Sequence, residues 1–238
     1  MAPYRPESEF IGGYTPTDGT IEFYGRIKAL VRPEHKVLDL GAGRAEWFED
    51  DECEYRRGTR LLKGHVSEVI AADVDEAVLN NRASDRNIVF NTKIPLPDQS
   101  VDIIIADYVL EHVLDPEEFA ADIRRVLKPG GLFCARTPHK YHYVSIGARM
   151  VRNQNHVHLL ERLQPDRKPE DVFPTAYRLN TLKDIRTAFP DFENFSYLIR
   201  GNPAYFFGSK LAYRLLKVLH HMTPSWFSGN ILVFLRRQ

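Results

Sequence analysis

The chain has 238 residues, enough for one large α/β domain with its own core and short of what two independent domains usually need. Lysine plus arginine and aspartate plus glutamate balance at 32 each, so no net field draws the chain toward nucleic acid or anionic membrane, and no nucleic-acid partner is expected. Cys53 and Cys134 are the only cysteines, and the second lies in an apolar run where a thiol behaves as a small hydrophobe, which argues against a disulfide framework.

In chain order, the first ten residues lack the continuous apolar stretch of a secretory signal. No later segment approaches the roughly 18 apolar residues of a membrane span, so the expected location is cytoplasmic. Residues 17–31 place Ile21, Tyr24, Ile27, Leu30 and Val31 at helical spacing behind Thr17 or Asp18 as a cap, which predicts a leading helix within 17–35. Lys36–Leu40 (KVLDL) is a short apolar run ending in glycines and reads as a buried strand. Residues 56–64 are basic and glycine-punctuated, the pattern of a solvated loop with no catalytic role.

Glu68–Asp73 (EVIAAD) and 87–91 (NIVFN) repeat the strand character, with a helix-compatible stretch at 74–83 between them. Val101–Asp107 (VDIIIAD) is the most apolar strand. Asp115, Pro116 and Glu118 then supply the N-cap, N1 proline and capping-box acid of a helix reaching about Lys128, where Pro129-Gly130-Gly131 stops it. Residues 131–136 (GLFCAR) form a fifth strand, Thr181 with Asp184 opens another helix, and 195–200 and 230–236 complete a sixth and a seventh strand. Strands alternating with helices build a parallel sheet with right-handed crossovers. The expected fold is a single α/β domain over 1–238 with a doubly wound, seven-stranded Rossmann-like sheet. A cap region at 138–178 follows the fifth strand and a helical insertion at 203–226 precedes the last, both over or beside the carboxyl edge of the sheet.

Ligands of open α/β sheets bind beyond the carboxyl ends of the strands, where strand order reverses. Those ends carry Asp39, Gly41, Ala42 and Gly43; then Asp73; then Asn91 and Thr92; then Asp107 and Tyr108. Several carboxylates suit a pyrophosphate badly. They suit a ligand with a sulfonium, an ammonium and two ribose hydroxyls, which favours S-adenosylmethionine (SAM). Gly41 and Gly43 allow a sharp turn and a close ligand approach.

Four blocks in order, VLDLGAGRAEW (37–47), AADVDEAVL (71–79), IPLPDQSVDIIIADYVLEHVLDP (94–116) and IRRVLKPGGLF (123–133), resemble the class I SAM-dependent methyltransferases. The likeness is nearest to the methyltransferase type 11 group and its ubiquinone and menaquinone branch. The resemblance implies that the Gly41-Ala42-Gly43 turn holds the methionine end of SAM, with Asp39 beneath it orienting the turn or meeting the amino group. Asp73 would accept both ribose hydroxyls with Val74 beside it. Asn91 and Thr92 would face the adenine amino group, and Asp107 and Tyr108 would lie near the methyl-bearing end. Gly41 and Asp73 stand 32 positions apart, more than the roughly 20 of the compact dinucleotide fingerprint. Glu46 fills the third small position of that pattern, which argues against a hydride-transfer dinucleotide enzyme.

Methyl transfer from a sulfonium asks the protein mainly for alignment and water exclusion. For a hydroxyl acceptor a general base is needed, and His112, beside Glu111 after the fourth strand, is the first candidate; the Glu-His pair equally suits a helix cap. His139, Tyr141, His142 and Tyr143, with His156 and His158, are candidates for the acceptor pocket, with His139 and His142 as further bases. No cysteine or paired carboxylate completes a metal site, so no metal is expected. Tyr177 and Arg178 could meet an anionic acceptor, and Arg178 could instead pair with Asp184. Lys210–Met222 sets Leu211, Leu215, Val218, Leu219 and Met222 on one side and Lys210, Arg214, Lys217 and His221 largely elsewhere. That stripe packs on the domain or a second subunit, or serves as a lid or peripheral membrane contact. The function expected is O-methylation of a small, lipid-linked or sugar-linked acceptor by a monomer or homodimer. The alternative is a non-catalytic SAM-fold subunit that binds and regulates.

Overall fold

The central strands are near-continuous apolar runs, a pattern that puts a core on each face of a sheet. The computed structural model, which describes residues 3–150, 175–224, 227 and 229–238, contains that sheet. Its strands are β1 (Lys36–Leu40), β2 (Glu68–Asp73), β3 (Arg86–Val89), β4 (Val101–Asp107), β5 (Leu127–Pro138), β6 (Phe192–Asn194), β7 (Tyr197–Ile199) and β8 (Asn230–Arg237). Their spatial order is β3-β2-β1-β4-β5-β8-β6, with β7 also on β8. The first five are parallel, and β8 runs antiparallel to β5.

The helices are α1 (Gly19–Leu30), α2 (Trp47–Asp50), α3 (Glu54–Arg60), α4 (Pro116–Val126), α5 (Tyr143–Met150), α6 (Leu182–Ala188) and α7 (Lys210–Met222). Asp18 caps α1 by accepting from the Thr20 and Ile21 amides, Asp115 caps α4 and Thr181 caps α6. On one face Phe23, Tyr24 and Ile27 of α1 pack on Val37, Ile103, Ile105 and Cys134. On the other, Ala120 and Ile123 of α4 and Ile185 of α6 pack on Leu38, Ile104 and Phe133.

Four details differ from the sequence expectation. Only 61–64 of the expected 56–64 loop are loop and turn: α3 runs through Arg60, with Arg56 forking the Asp51 carboxylate and reaching Asp18. The 74–83 stretch holds only a short 3-10 turn, Glu76–Asn80. Asn81 ends it, since its side chain is drawn away to the Gly43 carbonyl at 3.0 Å and to the Ala83 amide at 2.9 Å. Pro129-Gly130-Gly131 does not separate α4 from the fifth strand. β5 starts at Leu127 and carries the glycines in a bulge where the register slips between Val101 and Ile103. A Cβ at Gly131 would come within 2.8 Å of the Asp102 carbonyl.

The expected sixth strand is an edge strand broken in two. β6 pairs with Arg237 to Leu235 and β7 with Leu232 to Asn230. At the break the Ser196 hydroxyl takes the Phe234 amide in place of a backbone carbonyl. The seven-strand pattern thus holds with one interrupted strand. The two insertions pack against each other where they are described: the Tyr143 hydroxyl donates to the Ala204 carbonyl at 2.9 Å, and the His142 and His220 rings lie 5.6 Å apart. No helix among the described residues is long and apolar enough to cross a membrane.

Candidate functional site

Strand order reverses between β1 and β4, so the carboxyl ends of β1, β2 and β4 frame the crevice such sheets use. At the end of β1, Gly41 (φ 70°) and Gly43 (φ 49°) both adopt left-handed backbone. A Cβ at Gly41 would fall 2.3 Å from Val109 Cγ2, whereas nothing lies within 4 Å of one at Gly43. The turn is braced from β2. The Gly41 amide donates to the Ala72 carbonyl at 2.7 Å and the Gly43 amide to Asp73 Oδ2 at 2.8 Å. The second Asp73 oxygen accepts the Asp75 amide at 3.0 Å. Each carboxylate oxygen keeps a further acceptor site. Val74, 52% exposed, sets an apolar surface beside it.

Asp39 lies beneath this turn, between Ala71 and Ile105 in the sheet. Burial pushes its carboxyl up to about 7; the Arg60 charge opposes the rise, and Asp107 and Asp73 add to it. Asp39 therefore sits within the field of both other carboxylates. Asp107 behaves differently. Burial alone would raise it, but the charge of Arg136, two Arg136 hydrogen bonds, the charge of Arg60 and the Tyr24 hydroxyl outweigh burial and hold it below the ordinary carboxylate value. Expected to face the methyl-bearing end, the Asp107 carboxylate is instead committed to protein partners. Tyr108 beside it is 42% exposed in left-handed backbone (φ 60°), with the Arg136 guanidinium 4.7 Å from its ring centroid.

Asn91 and Thr92 lie exposed in the bend beyond β3, which ends at Val89. Glu111 and His112 occupy a 3-10 turn, Leu110–His112, and Asp115 caps α4, so the helix-capping role for the Glu-His pair is not the one found. Glu111 is buried, accepts the Thr137 hydroxyl at 3.0 Å, and offers its carbonyl to the Ala176 and Tyr177 amides. His139 and His142 are buried just past β5. Burial, then the charges of His220 and His139, lower His142 to about 4; burial lowers His139 despite Asp184 nearby. The His142 ring packs on Tyr143, His220 and Phe227. Tyr141 is exposed. Arg178 donates to the Leu114 carbonyl at 2.7 Å rather than meeting Asp184. His156 and His158 lie outside the described residues. Among the described residues no group of three or more metal-ligating side chains comes together.

The crevice also contains side chains that the strand-end reading missed. Arg136 lies two residues before the end of β5, Trp47 opens α2, and Arg60 ends α3 with its guanidinium 4.5 Å from the Trp47 ring centroid and 5.0 Å from that of Tyr24. Asn81 holds the glycine turn from below. For Arg60 the basic run at 56–64 was the available signal.

Residues 52–135 match the family model described as "Methyltransferase domain", a match that begins after the glycine turn. A probable S-adenosylmethionine-dependent methyltransferase of Mycolicibacterium smegmatis is 36% identical over 93 residues, 37% of this chain and 36% of that protein. The ubiquinone/menaquinone biosynthesis C-methyltransferase UbiE of Vibrio vulnificus is 33% identical over 111 residues, 42% of this chain and 40% of its own length. The matched region thus spans well under half the length of these relatives. Among solved structures, a Haloferax volcanii chain in complex with the Trm112 methyltransferase activator superposes with a TM-score of 0.57 at 19% identity, covering 92% of this chain and 90% of that one. Geranyl diphosphate C-methyltransferase from Streptomyces coelicolor, solved with S-adenosyl-L-homocysteine, gives 0.55 at 14% identity, with coverages of 91% and 78%. These likenesses show the fold.

Proposed function

We propose that this chain is a class I SAM-dependent methyltransferase that moves the methyl group of SAM onto an oxygen of a small lipid-linked or sugar-linked acceptor. One observation carries the reading: three carboxylates and a braced double-glycine turn converge on the crevice where strand order reverses. The open space in front of Gly43 and the buried Arg60 Nε, which has no hydrogen-bond partner, fit a polar, zwitterionic ligand there.

In this reading Gly41, Ala42 and Gly43 cradle the methionine end, Asp39 faces its ammonium, and Asp73 adds two ribose hydroxyls to the backbone amides it already accepts. Val74 supplies the apolar floor beside the ribose, with Asn91 and Thr92 toward the adenine. Bound SAM supplies an already activated methyl group, so the chain contributes alignment and exclusion of water. Asp107 fixes Arg136, and through it the ring of Tyr108, at the rim facing the acceptor. His112, on the turn after β4, is the proposed base for a hydroxyl acceptor. His142, neutral and packed between rings, serves the insertion contact instead. His139, also buried and neutral, is a weaker second base.

The lipid-linked class is favoured by α7. Leu211, Leu215, Val218, Leu219 and Met222 are each more than half exposed, and the helix contains no acidic residue. An apolar stripe with basic flanks suits a membrane surface that presents such an acceptor. The reading is tested by incubating the protein with methyl-labelled SAM and separate lipid and aqueous extracts. Label is expected in an organic-soluble product. Absence of SAM binding by calorimetry would leave a scaffold that shares only the fold.

A further inference from the structure

α3 carries Arg56, Arg57 and Arg60, and the first two have ordinary partners. Arg56 forks Asp51 at 2.5 and 2.6 Å and reaches Asp18 at 2.8 Å; Arg57 donates to the Asp51 carbonyl at 2.6 Å. Lys28 of α1 secures the other end, donating to the Leu61 carbonyl at 2.7 Å. With the helix pinned in this way, its last residue, Arg60, lies beside Asp107 at the end of β4.

Arg60 is held mainly by ring faces. Its guanidinium lies over Trp47 and Tyr24. Asp107 Oδ2 is 3.5 Å from its Nη2, but that oxygen already accepts from Arg136 and Tyr24. Arg60 Nε is buried without a hydrogen-bond partner, a costly state for a charged donor that a ligand would relieve. By contrast Arg136 has Nε and Nη2 on Asp107 and Nη1 on Thr20. Of these two arginines, Arg60 is the one with a buried guanidinium nitrogen, Nε, that has no hydrogen-bond partner.

The guanidinium edge, Nε with a terminal nitrogen, matches the two oxygens of a carboxylate. Asp39 in β1, cation-seeking, and Arg60 at the end of α3, anion-seeking, lie in each other's field. An amino-acid end group, with one ammonium and one carboxylate, complements that pair. We infer that Arg60 receives the methionine carboxylate of SAM through its Nε edge while Asp39 faces the ammonium, with Trp47 and Tyr24 keeping the guanidinium in place. The inference rests on the cofactor reading proposed above.

The test is calorimetric titration of wild type, Arg60→Gln and Arg60→Lys with SAM and with decarboxylated SAM, which keeps both positive charges and lacks only the carboxylate. Arg60→Gln is expected to weaken SAM by about 10- to 100-fold, the range for a charged hydrogen-bonded pair. Decarboxylated SAM should change by less than about twofold, since it has no group for Arg60. Arg60→Lys, which keeps the charge and loses the fork, should fall between. The readout is the ratio of the two affinities: parallel losses, as from a loosened crevice, or no loss, overturn the assignment. Wild type that binds neither ligand overturns the cofactor reading itself, and Arg60 with it.

Discussion

Asp107 and Arg136 meet edge to edge, Nε to Oδ1 at 2.7 Å and Nη2 to Oδ2 at 2.8 Å, with both side chains 6% exposed. Cross-strand neighbours on β4 and β5, they tie the crevice to α1 through Thr20 at 2.9 Å. Removing one partner strands the other charge out of water. Arg136→Met should therefore lower unfolding free energy by about 3–5 kcal/mol, and the double variant with Asp107→Asn should recover part of that. Denaturant titration of the three variants measures it; additive losses would mean that the pair is not coupled.

Asp39, held up to about 7 by burial, gives cofactor binding a pH dependence. A cation arriving beside a carboxyl favours its ionised form, and below pH 7 that form must first be made. Affinity for SAM is expected to rise from pH 5.5 to 7 and then level off, while Asp39→Asn binds weakly with a flat profile. Calorimetry across that range decides the point, and a flat wild-type curve would remove Asp39 from contact with the ligand. In the absence of ligand the same raised value makes stability greatest at low pH and lost as pH climbs toward 7.

Asp73 holds one backbone amide on each oxygen, so its loss affects both the loop and the ligand. Asp73→Ala should weaken SAM by about 1–3 kcal/mol and weaken adenosine as well, because the ribose hydroxyls belong to both. Normal adenosine binding by a folded variant would place the ribose elsewhere. Gly41→Ala, with its Cβ 2.3 Å from Val109 Cγ2 in left-handed backbone, should lower the melting temperature in the same assay.

The strand ends were legible because short apolar runs punctuated by Gly and Asp announce where a buried parallel strand stops; Asp39, Gly41, Gly43 and Asp73 follow from that alone. Arg60 was not. Its run of basic residues resembles a solvated loop, and the helix that places Arg60 is fixed by Asp51 and by Asp18, which lies 38 positions before Arg56. Arg136 ends an apolar run, and its partner Asp107 is 29 positions away, a pairing that strand register decides. The break between β6 and β7 depends on one serine hydroxyl standing in for a carbonyl, a detail no hydrophobic pattern carries.

His142 joins α5 to α7 as a neutral ring, lowered to about 4 chiefly by burial. A histidine depressed on folding contributes stability above its unfolded value, about 6.5, and that contribution is lost as pH falls toward 4. The direction is opposite to that of Asp39, so the two are separable by variant and by place. Amides of α5 and α7 should exchange faster at pH 5 than at pH 7 in wild type, and His142→Phe should flatten the difference. Uniform protection at both values would mean the ring contact does not hold the insertions together.

The exposed face of α7 makes the last claim testable without knowing the acceptor. Tyr213 is 3% exposed and anchors the helix, while Leu215 and Val218 are 64% and 59% exposed, so substitutions there leave the core untouched. Lys210 pairs with Glu9 at 2.5 Å, and Lys217 has its ammonium 5.9 Å from the Phe10 ring centroid, so Lys210, Arg214 and Lys217 make α7 basic beside the apolar stripe. Wild type is expected to sediment with vesicles containing phosphatidylglycerol and to be released by raised salt, since the headgroup attraction is screened. Leu215→Glu with Val218→Glu should abolish sedimentation while leaving SAM affinity unchanged, because neither residue lies at the strand ends. If the variant sediments as wild type does, the stripe is not the contact. If neither sediments and size-exclusion chromatography gives a dimer that the variant lacks, the stripe joins two copies of the chain.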